Sequence, residues 1–110
     1  MNIIEEKLND VLICKPQGEI NISNSGELRK AFDGLIKKNE KKVLVVFSAV
    51  PYIDSSGLAT LIEMFQRLKK IGGILRFSNL DQKVRNVFEI TKLLKLFVVF
   101  DTQEEALKDF

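Results

Sequence analysis

The sequence predicts an α/β fold in which a mixed β-sheet of about five strands is packed against about four helices, in the order β-β-α-β-α-β-α-β-α. Two observations support this prediction. The run VLVVF at 43–47 is apolar and rich in β-branched residues, which is typical of a central strand covered on both faces. After an initial pair of strand-like segments, helical and strand-like periods alternate to the last residue, which favours strands joined by crossover helices.

The first elements are two strands and a helix. NIIEEKL and VLICKPQGEI predict a pair of strands joined by a short turn at Asn9-Asp10. The apolar spacing then changes to a helical period. Asn24 with Glu27 three residues later predicts an N-terminal cap and its reciprocal partner.

The central strand gives way at Asp54-Ser55-Ser56-Gly57 to a second helix. Leu58, Leu61 and Phe65 recur at helical spacing, and we expect them to be buried against the sheet. The pair Gly72-Gly73 predicts the end of this helix. The remaining segments predict a strand at ILRFSN, a helix at DQKVRNVFEI, a strand at LFVVF and a helix at TQEEALKDF.

Composition excludes several kinds of chemistry. The 110 residues carry no linker-like tract, so residues 1–110 are expected to form a single domain. The chain has no histidine and one cysteine, Cys14, which lies in an apolar run and is expected to be buried. No Ser-His-Asp or Cys-His arrangement and no ordinary zinc site can be assembled. We therefore predict a protein that is not an enzyme and that needs no metal or other cofactor.

The charge balance and hydropathy restrict the partners. With 17 basic against 15 acidic residues, the net charge of +2 argues against nucleic-acid binding through a strong basic field. No apolar stretch approaches the about 20 residues needed to span a bilayer. MNIIEEKLND has acidic residues where a signal peptide would be basic and then apolar. The expectation is a cytoplasmic protein without membrane insertion or direct contact with nucleic acid.

The DSSG segment raises the question of why two hydroxyls and a glycine stand where a buried strand becomes a helix. Unpaired N–H groups at a helix start form a positive pole, which Asp54 or Ser55 can cap while Ser56 occupies the first turn and Gly57 keeps it uncrowded. Capping alone accounts for most of this pattern, but it requires neither the second serine nor the glycine. The same pole suits a phosphate, so Ser55 can carry one without unfolding the domain.

The other face of the second helix is predicted to be an accessible surface. Ala59, Thr60, Glu63 and Met64 share this face, and we expect it to be fairly flat with an accessible methionine. Such a surface beside the DSSG segment is suited to docking another protein.

Three segments together resemble a known family. QGEINISNSGELR is similar to a G-E-[IL]-D segment leading into a helix, and VVFSAVPYIDSSGLATL is similar to a strand followed by D-S-S-G-L. VRNVFEITKLLKLFVVFDTQEEAL is similar to the closing helix, T-x-L turn, strand and final helix of the same family. Over nearly its whole length the sequence resembles the STAS domain, found in anti-sigma-factor antagonists and in the cytoplasmic tails of sulfate transporters, and most of all the stand-alone bacterial antagonists.

This resemblance implies a phosphorylation-controlled switch. In the family, the serine after the aspartate, here Ser55, accepts phosphate from an anti-sigma factor that is also a serine kinase. The unphosphorylated antagonist binds the anti-sigma factor and frees a sigma factor, and a phosphatase resets the cycle. The resemblance implies a partner-binding surface made of Asn21, Ser23, Asn24, Asp54, Ser56, Gly57, Thr60, Glu63 and Met64.

The chain departs from the family pattern at two positions. Asn21 stands where the G-E-[IL]-D segment has aspartate, which keeps the size and hydrogen bonding but loses the charge. Val46 stands in the strand where Asp or Asn is common. Neither change alters the predicted fold.

Two other classes of function compete with the antagonist. A STAS subunit of a stressosome-like complex or of a lipid-transport ABC assembly can share both the length and the intact DSSG segment. An enzyme or nucleotide-binding protein is disfavoured, since no phosphate-binding glycine loop is present.

Overall fold

The computed structural model describes all 110 residues, and the predicted order of elements is confirmed. A short 3-10 helix at Leu93–Lys95, which the sequence pattern did not indicate, precedes the last strand. The strands and helices are β1 (Asn2–Leu8), β2 (Val11–Gln17), α1 (Ser25–Lys37), β3 (Lys42–Val46), α2 (Ser55–Lys70), β4 (Ile74–Ser78), α3 (Gln82–Ile90), β5 (Val98–Phe100) and α4 (Gln103–Leu107).

The five strands form one mixed sheet in the order β1-β2-β3-β4-β5. β1 is antiparallel to β2, and all other neighbours are parallel. The predicted central strand is confirmed, because residues 43–46 of β3 are buried. Since β2, β3 and β4 are parallel, the loops after them leave the sheet at the same edge, which brings the segment after β2 beside the DSSG segment after β3.

The two faces of the sheet carry different layers. α1, α2 and α3 cover one face and contribute to the larger core cluster, in which Cys14 is buried as predicted. α4 covers part of the other face, where Ala106 packs with Val46 and its neighbours in a second cluster. Val46, which stands where the family pattern commonly has Asp or Asn, is therefore an apolar core residue of this chain and is 3% exposed.

α4 is attached to the sheet through Arg76 of β4. The Arg76 guanidinium donates hydrogen bonds to the carbonyl oxygens of Ala106, Lys108 and Asp109, at 3.0, 2.7 and 2.9 Å. It also stacks on Phe110, with 4.4 Å between Cζ and the ring centroid. One side chain thus satisfies several carbonyls that a five-residue helix and the turn after it would leave without partners.

The predicted capping box of α1 is wrong. Asn24 is the N-cap residue, but its side chain makes no hydrogen bond to the first turn of the helix. Its Oδ1 instead accepts from the Asn21 N–H at 2.9 Å, and its Nδ2 donates to the Glu19 carbonyl at 2.7 Å. Glu27 pairs with the amino group of Met1. Asn24 therefore closes the loop before the helix, and no reciprocal pair forms.

The buried face of α2 is rotated from the predicted one. Leu58 and Leu61 are buried as expected, but Phe65 is only partly buried, at the edge of the core against Phe97, with 5.6 Å between ring centroids. Met64, 1% exposed, points into the core instead. The predicted accessible methionine is wrong, because the helix packs through the stripe that runs from Gly57 through Leu61 and Met64.

Candidate functional site

The start of α2 is capped by Asp54. Its Oδ1 accepts hydrogen bonds from the backbone N–H groups of Ser56 and Gly57, at 2.9 and 3.1 Å. Asp54 has extended backbone geometry and α2 begins at the next residue, so Asp54 rather than Ser55 is the cap. Ser55 is left as the first residue of the helix.

The two adjacent serine hydroxyls differ in their environment. The Ser56 Oγ donates to the Asp54 Oδ1 at 2.6 Å, and the Ser56 side chain is half-buried. Ser55 is exposed, and its hydroxyl takes part in none of the side-chain hydrogen bonds of the protein. Ser55 therefore offers a free nucleophilic oxygen at the N-terminus of a 16-residue helix, whereas the Ser56 oxygen is committed to the cap.

Asp54 also joins two loops. Its second oxygen, Oδ2, accepts from the backbone N–H of Ile22 at 3.0 Å, in the segment between β2 and α1. The hydrogen bond from the Ser56 hydroxyl and those from the N–H groups of Gly57, Ile22 and Ser56 together hold the pKa of Asp54 below its ordinary value, against the opposing effect of desolvation. Asp54 is therefore an anion at neutral pH, with both oxygens occupied by donors.

Backbone hydrogen bonds hold the same two segments together. The Ile20 N–H donates to the Tyr52 carbonyl at 3.0 Å, and the Asp54 N–H donates to the Ile20 carbonyl at 3.1 Å. Ile20 and Ile53 form an isolated parallel bridge, and both side chains are fully buried beneath the loops.

The loop between β2 and α1 is closed by Asn21, at the position where the family pattern has aspartate. The Asn21 Oδ1 accepts from the Ser23 N–H at 2.9 Å, and its Nδ2 donates to the Glu19 carboxylate at 3.1 Å. The asparagine oxygen therefore performs the hydrogen bonding that an aspartate oxygen would, and its amide group adds a bond that an aspartate could not make.

Gly57 is required by close packing. A Cβ atom at this position would lie 2.6 Å from Cγ1 of Ile53 and 2.7 Å from Cγ2 of Ile20. Both distances are far shorter than a carbon–carbon contact of about 3.5–4.0 Å. The glycine therefore lets the first turn of α2 rest directly on the two isoleucines that form the bridge beneath the site.

The structure groups only some of the predicted surface residues around Ser55. Of these, Ser23 is exposed, while Asn21, Asn24, Asp54 and Ser56 are half-buried within the hydrogen-bonded loops. Glu63 is partly exposed and is paired with Arg29 of α1 at 2.9 Å.

Three predicted members of the surface are buried and cannot contact a partner directly. These are Gly57, Thr60 and Met64. The Thr60 hydroxyl donates to the Ser56 carbonyl at 3.1 Å, and this internal bond allows a polar side chain 3% exposed to face the packed side of the helix. Their assignment to an accessible surface is wrong, because α2 turns the stripe containing Met64 toward the core.

Sequence reasoning missed two exposed apolar residues beside Ser55. Ile22 is 78% exposed and Tyr52 is 43% exposed. The available signal was an isoleucine among the polar residues of NISNS, since a loop gains nothing by exposing a large apolar side chain.

The structure contains no features of a ligand pocket, a metal site or a membrane-spanning helix. The surface has no pocket, and no three His, Cys, Asp or Glu side chains are grouped so as to bind a metal ion. None of the helices combines the length and the apolar character required to cross a membrane.

Comparison with known proteins identifies the family. Residues 2–106 match the model of the STAS domain, so the chain belongs to the STAS domain family. It is 32% identical over 103 residues, 93% of this chain and 91% of the other, to a Thermotoga neapolitana protein named as a candidate anti-sigma factor antagonist. It is 30% identical over 96 residues, 84% of this chain and 86% of the other, to the anti-sigma-B factor antagonist of Bacillus subtilis.

A solved structure supports the same family. The crystal structure of a candidate anti-sigma factor antagonist from Thermotoga maritima matches with a TM-score of 0.93 and 29% identity. The match covers 97% of this chain and 92% of the other. The predicted resemblance is therefore confirmed over nearly the whole chain.

Proposed function

We propose that this protein is an anti-sigma factor antagonist whose binding to the anti-sigma factor is switched by phosphorylation of Ser55. The observation that carries the proposal is the exposed Ser55 hydroxyl, free of hydrogen bonds, at the N-terminus of α2 beside the capping carboxylate of Asp54. The names of the relatives agree with the antagonist role. The protein acts by binding, and the catalysis belongs to its partners.

The local geometry favours Ser55 over Ser56 as the phosphate acceptor. A phosphoryl group on Ser56 would require the Ser56 hydroxyl to leave Asp54, which would break the 2.6 Å bond at the helix cap. Ser55 needs no such rearrangement. In the proposed step its oxygen attacks the γ-phosphorus of ATP, ADP leaves, and the hydroxyl proton passes to the kinase.

The phosphorylated protein is expected to remain folded. A phosphoserine carries about −1.5 to −2 charges at neutral pH. At the N-terminus of α2 this charge meets the helix dipole, and a favourable placement contributes about 0.3–1 kcal/mol at an exposed position. The nearby Asp54 carboxylate opposes part of this gain, so the net change in folding stability is small.

The same charge is expected to block the partner. An anti-sigma factor seated over Ser55 would have to desolvate the phosphate or supply a cation, and an unpaired buried charge costs several kcal/mol. A cost of about 2.7 kcal/mol corresponds to roughly a hundredfold weaker binding. Phosphorylation therefore turns off binding through the surface while the fold persists.

The remaining partners follow from this switch. The anti-sigma factor is proposed to be the serine kinase that modifies Ser55, and a phosphatase returns the protein to its binding form. Because an anti-sigma factor controls a subunit of the transcription machinery, we expect the cycle to run in the cytoplasm.

The test is phosphorylation by the purified anti-sigma factor of the same organism. Incubation with this protein and ATP should add one phosphate by mass spectrometry, and Ser55→Ala should abolish the addition. Ser56→Ala is the matched control, since it removes the neighbouring hydroxyl and should only slow the reaction by weakening the cap. Labelling that persists in Ser55→Ala would refute the assignment.

A further inference from the structure

Ile22 is an exposed apolar residue in an otherwise polar loop. It is 78% exposed, and its neighbours along the chain are Asn21 and Ser23. A single exposed isoleucine is common on protein surfaces and by itself indicates nothing. The position of Ile22 distinguishes it, because its backbone N–H is bound by the same Asp54 carboxylate that caps the helix beginning at Ser55.

The backbone around Ile22 is fixed before any partner arrives. The Asp54 Oδ2 holds the Ile22 N–H at 3.0 Å, and the Asn21 Oδ1 holds the next N–H, that of Ser23, at 2.9 Å. On the other side of the loop, the Asn24 side chain closes onto the Asn21 N–H and the preceding chain. A side chain presented by an ordered loop loses little backbone freedom on binding, which favours its use as a contact.

A second exposed apolar side chain lies on the neighbouring segment. Tyr52 is 43% exposed, and its carbonyl accepts the Ile20 N–H in the backbone pairing that joins the two loops. Ile22 and Tyr52 therefore lie on the two segments that Asp54 connects. Ile22 follows Ile20 by two residues, and Tyr52 precedes Asp54 by two residues, and Ile20 and Asp54 are joined by a backbone hydrogen bond. Tyrosine is enriched among the residues that contribute most to protein–protein binding.

We propose that Ile22 is an apolar anchor for the anti-sigma factor, inserted into an apolar pocket of that partner next to Ser55, with Tyr52 as the second apolar contact. This inference rests on the proposed function and extends it to a specific residue. The anchor surface is continuous with the phosphorylation site, since one carboxylate positions both Ile22 and the first turn of α2. It explains why this loop buries Ile20 but exposes Ile22.

The anchor predicts a division between binding and phosphoryl transfer. Ile22 contributes no group to the reaction at the Ser55 oxygen, so its loss should raise the KM of the kinase for this protein and leave kcat nearly unchanged. The Ile22 side chain thus helps to position this protein, as the substrate, on the kinase. Loss of a buried isoleucine contact should weaken binding by about 10- to 100-fold.

The experiment compares Ile22→Ser with Ile90→Ser. Ile90 is the matched control because it is 80% exposed and is the last residue of α3, which runs from the end of β4 back toward the start of β5, away from the edge that carries Ser55. Each protein is titrated against the purified anti-sigma factor and then assayed as its substrate with ATP. Thermal melts establish that both variants are folded, and Ile22→Val, which keeps an apolar side chain, should restore most of the affinity.

The outcomes separate this inference from the proposed function. The expected result is an affinity loss of about tenfold or more for Ile22→Ser, with Ile90→Ser close to wild type. If the wild-type protein binds and the affinity of Ile22→Ser is within about twofold of the wild-type affinity, the anchor is overturned while the proposed function stands. Equal losses in both variants would also overturn it. Absence of binding by the wild-type protein would refute the proposed function, and the anchor with it.

Discussion

Replacement of Gly57 by alanine tests the close packing beneath the site. The new methyl carbon would lie 2.6 Å from Ile53 Cγ1 and 2.7 Å from Ile20 Cγ2, on side chains that are 0% exposed. Overpacking of this kind costs about 1–3 kcal/mol. Alanine in a helix is favoured over glycine by about 1 kcal/mol, which offsets part of the loss. We therefore expect Gly57→Ala to lower the free energy of unfolding by about 0–2 kcal/mol.

Gly34 of α1 provides the matched control. It also lies inside a helix, and a Cβ there would meet no atom within 4 Å. Gly34→Ala should therefore raise the free energy of unfolding by about 0.5–1 kcal/mol. The two substitutions are chemically identical, so the difference between them isolates the steric cost at Gly57.

Urea unfolding of the wild type and both variants measures this difference. The expected order of stability is Gly34→Ala, then wild type, then Gly57→Ala, with the two variants about 0.5–3 kcal/mol apart. Gly57→Ala should also weaken binding to the anti-sigma factor, because Ile20 and Ile53 must shift and they support both loops of the site. A Gly57→Ala protein as stable as Gly34→Ala would show that the reasoning about packing is wrong.

The same structure makes four further predictions. Ser55→Asp should change the free energy of unfolding by less than about 1 kcal/mol and weaken binding roughly a hundredfold, measured by melts and titration; unchanged affinity would contradict the switch. Met64→Ala should lower the free energy of unfolding by about 2–5 kcal/mol and Phe65→Ala by less, in urea melts; the reverse order would refute the observed rotation of α2. Arg76→Met should lower it by about 1–3 kcal/mol and speed amide exchange in α4, whereas unchanged exchange would show that α4 is held by other contacts. Because the pKa of Asp54 is lowered in the folded protein, the ionised carboxylate stabilises the fold fully above the unfolded pKa of about 3.9, and this stabilisation is lost as the pH falls through the folded pKa. Asp54→Asn should therefore make the free energy of unfolding less dependent on acid pH. An unaltered dependence of unfolding on pH would contradict this prediction.

The order of elements could be predicted because each has a strong local signal. The buried run of β3 has no polar residue to suggest another role, and Gly72-Gly73 interrupts the chain just after the last turn of α2. The cap at Asp54 was one of two alternatives, since aspartate and serine are both good N-cap residues. Only the geometry of the Asp54 oxygens decides between them.

The orientation of α2 could not be predicted because its sequence is apolar over a wide arc. Met64 and Phe65 are adjacent, and a stripe through either one satisfies the helical period. The choice depends on which side of the helix lies against Ile20 and Ile53, and the absence of a side chain at Gly57 makes that contact possible.

The capping box of α1 failed for a similar reason. Asn24 had competing partners in a loop whose shape is set by tertiary contacts, and its side chain binds Asn21 and Glu19 instead of the helix. The spacing of residues along the chain does not specify where that loop lies. The spacing of Asn24 and Glu27 therefore could not exclude hydrogen bonds from Asn24 to the loop in place of the helix.

The sequential order of the sheet has a consequence for how the protein is made. Each strand pairs with the strand before it in the chain, so every new strand can add to an edge that already exists, and each parallel pair needs only the one crossover between its two strands to close. Growth on a ribosome can therefore follow the same path as folding in solution. The exception is the sheet face that carries Val46. This face is covered only when α4 packs on it, and α4 is synthesised after all five strands. Until Arg76 binds the carbonyl oxygens at the end of α4, the apolar side chains of Val46 and its neighbours remain open to water and to other chains.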